Sequence, residues 1–177
     1  KPSKYIESYP LIKTLRYGEN PHQKAFWYGL SNFGWNSAEQ LQGKELSYNN
    51  LLDLESALST VLEFGYEEKD ILTTKNYASV ILKHNNPCGA SISYSASQAF
   101  LNALECDSVS AFGGIVAFNS NVDSETAIHL KDIFLECVVA PSFDAEALEI
   151  LKIKKNLRIL KLSKDQLPKK NQISTKS

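Results

Sequence analysis

The stretch SVILKHNNPCG, residues 79–89, carries the strongest fold signal in the chain. After Ser79 come three apolar residues, Val80, Ile81 and Leu82, of which two are β-branched. This is the pattern of a strand buried on both faces. The Asn-Asn-Pro-Cys-Gly segment at 85–89 is typical of a turn. Lys83 and His84 therefore stand at the carboxyl end of a buried strand, the edge at which open α/β sheets bind ligands.

Helical and strand patterns alternate on both sides of this stretch. The segment up to Glu19 shows no regular pattern, and the aromatic-rich residues 23–28 predict a strand. Apolar residues at helical spacing predict a helix capped by Asn49 or Asn50 and closed by Gly65. Similar patterns predict helices over 94–106, 124–135 and 144–152 and strands over 115–118, 137–140 and 157–160. The alternation predicts an α/β fold with a mixed, largely parallel sheet flanked by helices.

Composition excludes several classes of protein. The 177 residues are 43% hydrophobic, enough for one well-filled core, and the formal net charge of -1 gives no field for nucleic acid or an anionic membrane. No apolar run approaches the roughly 18 residues that a membrane span needs. Three cysteines without paired spacing predict neither a disulfide framework nor a tetrahedral metal site, so a cytoplasmic protein is expected.

The two ends of the chain are also informative. Lys and Arg outnumber Asp and Glu by nine to one over residues 151–177, and no aromatic side chains lie among them. This predicts a solvated tail or linker rather than a nucleic-acid arm. Met is absent, including from position 1, so we expect the chain to be a piece of a longer protein.

Three polar clusters could carry chemistry. A lysine cation beside a neutral imidazole, as at Lys83 and His84, would pair a proton acceptor with a group that stabilises negative charge; the alternative is a turn histidine beside a solvated lysine. In LRYGENPHQ, residues 15–23, the fork of Arg16 suits a phosphate, although a surface ion pair is equally compatible. In SAFGG, residues 110–114, Phe112 offers a flat apolar face, although a strand-initiating turn explains the glycines nearly as well.

Other catalytic classes have little support. Neither the P-loop pattern nor the Rossmann glycine pattern is present. A zinc deaminase needs H-x-E followed by P-C-x-x-C, but no histidine here has that glutamate, and Ser91 stands where the second cysteine belongs. No metal is predicted. A nucleophilic Cys88 activated by His84 is a weaker reading than a small buried cysteine.

Five strings occur in order: LRYGENPHQ, LSYNNLLDLESAL, ILKHNNPCG, SAFGGIVAFN and VVAPSFDAEALEILKIKKNLRIL. Together they resemble the transformylase domain of the bifunctional purine-biosynthesis family AICAR transformylase/IMP cyclohydrolase. The resemblance implies a cytidine-deaminase-like subdomain without zinc. It also implies that residues 1–162 are the N-terminal subdomain of the transformylase domain and that 163–177 form a basic, flexible tail or linker.

The resemblance further implies formyl transfer from 10-formyltetrahydrofolate to the 5-amino group of 5-aminoimidazole-4-carboxamide ribonucleotide (AICAR). By matching position, His84 would accept the amine proton and Lys83 would stabilise the charge that develops on the formyl group. Nucleotide-contacting positions of the family fall on Arg16, Tyr17, Asn50, Phe112, Gly113 and Glu136.

Two parts of the family's enzyme have no counterpart in this sequence. They are the cyclohydrolase domain and the second transformylase subdomain, which supplies most of the folate site. Family active sites also form at a homodimer interface. The alternative is therefore an inactive fragment that acts only as a nucleotide-binding or dimerisation module.

Overall fold

The computed structural model describes residues 6, 8–29, 33–67 and 76–167. Four α-helices lie in this part of the chain: α1 (Tyr48–Leu62), α2 (Ala96–Cys106), α3 (Ser124–Asp132) and α4 (Ala145–Leu151). Its strands are β1 (Leu11–Thr14), β2 (Phe26–Tyr28), β3 (Glu39–Gln42), β4 (Tyr77–Lys83), β5 (Asn86–Ser93), β6 (Gly114–Phe118), β7 (Leu135–Ala140) and β8 (Arg158–Lys161). The first two strands form a small antiparallel sheet, and the others form one sheet in the order β3-β8-β7-β6-β4-β5. The predicted α/β fold with a mixed sheet flanked by helices is confirmed.

The sheet is less parallel than predicted. Strands β6, β7 and β8 run parallel, whereas β4 is antiparallel to both of its neighbours and β3 is antiparallel to β8. The expectation of a largely parallel sheet was therefore wrong. For β4 the physical reason is its connection to β5, because a two-residue turn can join only antiparallel strands.

The predicted turn at 85–89 is mostly strand. Only His84 and Asn85 turn the chain, and both have positive φ, 52° and 58°, as a type I′ hairpin requires. Asn86 already pairs with Lys83, and the register shifts after Ile81, which leaves a bulge in β5. Pro87 is compatible with β5 because proline is accepted in edge strands and at bulges.

Helix α1 begins earlier than the sequence indicated. Its N-cap is Ser47, whose hydroxyl accepts a hydrogen bond from the Asn50 backbone N–H. The Asn50 side chain in turn accepts from the Ser47 backbone N–H, completing a capping box. Asn50 therefore lies in the first turn of the helix and is not its cap.

Two apolar cores lie on opposite faces of the large sheet. Helix α1 packs on one face through Leu54 and its neighbours, whereas α2, α3 and α4 cover the other face around Phe100. Strand β4 supplies both cores, because Val80 faces α1 and Ile81 faces the opposite side. Within the described residues, no helix has the length and apolar character needed to cross a membrane.

Other boundaries differ in detail. Helix α3 ends at Asp132, earlier than predicted, because Leu135 already begins β7. Strands β1 and β3 were not predicted, since neither LIKT nor EQLQ alternates clearly between apolar and polar residues. Beyond 162 the chain continues in contact with the domain: the Gln166 side chain donates to the Ser37 carbonyl. The rest of the predicted tail, 168–177, lies outside the described residues, and the boundary at 162 stays a prediction.

Candidate functional site

The β4–β5 hairpin places Lys83 and His84 at one cleft. Lys83 ends β4 and His84 is the first residue of the turn. The open cleft has a volume of about 360 Å³ and is lined by Lys83, His84, Asn86, Pro87, Cys88, Asp107 and Ser110. The strand therefore ends where the two predicted catalytic groups can face one ligand.

The second predicted contact region adjoins Lys83. The Lys83 Nζ atom donates a 2.7 Å hydrogen bond to the Phe112 carbonyl. Gly113 has a φ of 77°, and a Cβ built on it would lie 3.9 Å from Lys83 Nζ. Phe112 is 59% exposed, and its ring lies 5.1 Å, centroid to centroid, from the Phe134 ring. A flat aromatic surface and a lysine cation thus lie beside each other, with a glycine backbone that a ligand can approach closely.

Asp53 of α1 holds the turn, and sequence reasoning missed it. Its Oδ2 accepts from the His84 backbone N–H at 3.2 Å and its Oδ1 accepts from the Asn85 backbone N–H at 2.8 Å. Ser56, on the same helix, has its Oγ 2.9 Å from the Asn85 side-chain amide. The sequence could have indicated Asp53, because residues three apart share a helix face and Asp53 follows Asn50 by three positions. This spacing puts its carboxylate on the sheet-facing side of α1.

The loop that contains Arg16 and Tyr17 is attached to the start of α1. The Arg16 backbone N–H donates to the Leu46 carbonyl, and the Tyr48 backbone N–H donates to the Tyr17 carbonyl. The Arg16 guanidinium lies over the Tyr17 ring, 5.3 Å from its centroid. The two backbone hydrogen bonds place Arg16 and Tyr17 beside the N-terminal end of α1 rather than at the hairpin turn.

Asn50 and Glu136 contact each other directly. The Asn50 Nδ2 atom donates to Glu136 Oε2 at 2.7 Å, and Asn50 is only 4% exposed. The register of β7 against β6 shifts so that Glu136 stands between the paired residues Leu135 and Cys137. A bulge of this kind redirects a side chain and explains why Glu136 points towards α1. A ligand that uses either group must share or replace this hydrogen bond.

Helix α1 connects the two groups of predicted residues. Asn50, in the first turn of α1, forms a hydrogen bond with Glu136 of β7. Asp53, one turn later, accepts hydrogen bonds from the backbone of the hairpin turn. The structure thus brings Lys83 and His84 to one cleft, Lys83 to Phe112 and Gly113, and Asn50 to Glu136. Arg16 and Tyr17 are connected to Asn50 and Glu136 only indirectly, by backbone hydrogen bonds to the start of α1.

The charges in the cleft argue against a cysteine nucleophile. Burial raises the pKa of the Cys88 thiol, the Asp107 carboxylate raises it further, and the Lys83 cation opposes the shift. Hydrogen bonds from Ser110 lower the pKa of Asp107, which is therefore an anion. A thiol with a raised pKa carries little thiolate near neutral pH, so Cys88 is a poor nucleophile. Among the described residues, no cluster of three or more His, Cys, Asp or Glu is placed to hold a metal ion.

Comparison with known sequence families shows to which family the chain belongs. The sequence profile of the AICARFT/IMPCHase bienzyme family matches residues 2–177. This chain belongs to the AICARFT/IMPCHase bienzyme family. The predicted family membership is thereby confirmed.

Three curated relatives of the family carry the name bifunctional purine biosynthesis protein PurH. Those of Prochlorococcus marinus strains MIT 9312 and CCMP1986 / NIES-2087 / MED4 are 93% and 91% identical over 175 residues, which cover 99% of this chain and 34% of the relative. The relative from strain NATL1A is 56% identical over 93% of this chain and 32% of its own length. The chain spans about a third of the length of these relatives.

Likeness to solved structures is weaker. Two structures of Acinetobacter baumannii RibD, form 2 and form 1, match 60% and 61% of this chain and 35% and 34% of their own length. Their TM-scores are 0.44 and 0.41, and their identities are 16% and 19%. These TM-scores do not establish a shared fold. The cytidine-deaminase-like character of the subdomain therefore stays a prediction.

Proposed function

We propose that this chain supplies the Lys83 and His84 half of a formyl-transfer site. The reaction is transfer of the formyl group of 10-formyltetrahydrofolate to the 5-amino group of AICAR in purine (IMP) biosynthesis. The observation that supports it most directly is the position of both side chains on one cleft at the end of β4, in a chain of the AICARFT/IMPCHase bienzyme family.

The chemistry explains why two such groups are needed. The AICAR amine is a weak nucleophile because its lone pair is delocalised into the ring and the carboxamide. As its nitrogen attacks the formyl carbon, His84 accepts a proton from the amine. Lys83 stabilises the negative charge that develops on the formyl oxygen. The bond from the formyl carbon to the folate nitrogen then breaks, and that nitrogen takes up a proton.

The remaining predicted residues hold the nucleotide in this proposal. Phe112 offers its exposed ring to the heterocycle, and Gly113 lets the backbone approach it. Arg16 binds the phosphate beside Tyr17, since a guanidinium matches phosphate oxygens in two parallel hydrogen bonds. Asn50 and Glu136 contribute further contacts by exchanging their mutual hydrogen bond for ligand groups.

The whole protein is proposed to be a cytoplasmic homodimer. Its second transformylase subdomain would supply most of the folate site, and a separate domain would catalyse the IMP cyclohydrolase step. Both proposals rest on the family, whose relatives are about three times as long as this chain.

Replacing Lys83 tests the proposal without removing much bulk. In the full-length protein, Lys83→Gln is expected to lower kcat for formyl transfer about 10²- to 10³-fold, as the loss of one electrostatic stabiliser of the transition state does in other enzymes. Steady-state kinetics with AICAR and 10-formyltetrahydrofolate measure it. The matched control is Lys152→Gln, which removes an exposed lysine paired with Glu149 on α4. Equal turnover by both variants would refute the role of Lys83.

A second candidate is a nucleotide-binding or dimerisation module without activity. It is favoured by the chain's covering only about a third of its relatives. Calorimetry of the 177-residue chain with AICAR, together with a formyl-transfer assay, separates the two. We expect binding without turnover if the missing two-thirds complete the site, whereas turnover by the 177-residue chain would exclude the module.

A further inference from the structure

We infer that Asp53 is a positioning residue: its carboxylate holds the backbone of the β4–β5 turn and thereby fixes the direction of the His84 imidazole. The consequence for turnover rests on the proposed function, whereas the effect on the turn does not. The Asp53 carboxylate accepts from the backbone N–H groups of His84 and Asn85. Its Oδ1 also lies 3.2 Å from the Asn85 side-chain amide. All of these partners belong to the turn, so Asp53 acts through the turn and not on a substrate.

The backbone conformation of the turn requires a stabilising contact of this kind. A type I′ turn places both central residues at positive φ, and asparagine followed by glycine is the pair that accepts this most readily. Here the central pair is His84 and Asn85, at 52° and 58°, with a β-carbon on each residue. Residues with a β-carbon keep a positive φ only where contacts with the surrounding structure hold them in that conformation. The hairpin alone lacks the glycine that would make the conformation easy.

The contacts of Asp53 match what the turn leaves unpaired. In a two-residue hairpin, the backbone N–H groups of the central residues have no partner on the opposite strand. One oxygen of Asp53 accepts from His84 at 3.2 Å and the other accepts from Asn85 at 2.8 Å. Hydrogen bonds to a carboxylate are stronger than those between neutral groups. Both free donors are therefore satisfied by one anion.

The anion itself is held in place. The next residue, Leu54, is fully buried in the core between α1 and the sheet. One turn before Asp53, the Asn50 side chain donates a hydrogen bond to Glu136. One turn after it, the Ser56 hydroxyl contacts the Asn85 side chain. Since α1 is anchored on both sides of Asp53, the turn is tied to the core and not merely to its own strands.

The test compares Asp53→Asn with Asp132→Asn in the full-length protein. The asparagine keeps the shape of Asp53 but directs an N–H group at one of the two backbone donors. Asp132 is the exposed last residue of α3 and serves as the control. Deuterium exchange of a peptide covering residues 83–86 is expected to accelerate about tenfold or more in Asp53→Asn and to stay unchanged in the control. Unchanged exchange in Asp53→Asn would overturn the inference.

A double-mutant cycle with His84→Ala tests whether Asp53 acts through His84. Asp53→Asn is expected to lower kcat on the order of 10- to 100-fold, with KM for AICAR nearly unchanged, because a small misplacement of a catalytic group is costly. In a His84→Ala background it should lower kcat no further. The same loss in both backgrounds would overturn the positioning role. Full activity of His84→Ala itself would refute the proposed function instead, and deuterium exchange would still decide whether Asp53 holds the turn.

Discussion

Replacing His84 with alanine is expected to lower kcat for formyl transfer in the full-length protein by about 10²- to 10⁴-fold, the usual contribution of a positioned general base. The AICAR amine gains acidity as its nitrogen bonds to the formyl carbon, and without His84 only solvent remains to take the proton. The fold should survive, because His84 is exposed in a surface turn. Histidine and alanine both carry a β-carbon, so the substitution changes the energetic cost of the positive φ at position 84 only slightly.

The measurement is steady-state kinetics at saturating AICAR, with circular dichroism to confirm folding. His129→Ala is the matched control, since His129 lies in the last turn of α3, away from the cleft. Because the loss is expected in kcat, KM for AICAR should change little. Near-normal turnover of His84→Ala would remove His84 from the mechanism, whatever the behaviour of Lys83.

The second large effect concerns the core. Phe100→Ala is expected to lower the free energy of unfolding by about 3–5 kcal/mol, the cost of deleting a large aromatic side chain from a packed interior. Phe100 is fully buried on α2, and its ring centroid lies 6.2 Å from that of Phe118 on β6. Its removal leaves a cavity between the helix and the sheet.

Phe112→Ala is the control for this substitution, because it removes the same side chain from a surface site. Its ring is mostly exposed and contacts Phe134, so the expected loss of stability is only about 1 kcal/mol, the value of an aromatic pair. Urea denaturation of the 177-residue chain measures both variants. Equal losses would contradict the placement of Phe100 in the core.

The hairpin illustrates how far sequence reasoning reached. The apolar run before Lys83 predicted a buried strand, and β4 is buried along its central residues. The Asn-Asn-Pro-Cys-Gly segment was read as a turn because each of its residue types favours turns, yet β5 begins at Asn86. Pairing with β4 overrode these local preferences, which are weak beside the hydrogen bonds of a ladder.

Contacts between distant residues were not predictable in the same way. Asn50 was predicted as a possible helix cap, and the resemblance assigned both Asn50 and Glu136 to the nucleotide, but no pattern indicated that the two side chains bond each other. The bulge that turns Glu136 towards α1 depends on the register between β6 and β7. Register is a property of two strands, so neither strand reveals it alone.

By itself, the sequence determined the family, the alternation of strands and helices, and the place of Lys83 and His84 at a strand end. These features depend on local periodicity and on ordered motifs, which a single chain displays directly. Only the tertiary structure decided that β4 is antiparallel to both neighbours, that Asp53 binds the turn, and that Asn50 meets Glu136. Such contacts arise when elements far apart in sequence pack their apolar faces, and the partners of their polar groups are settled only then.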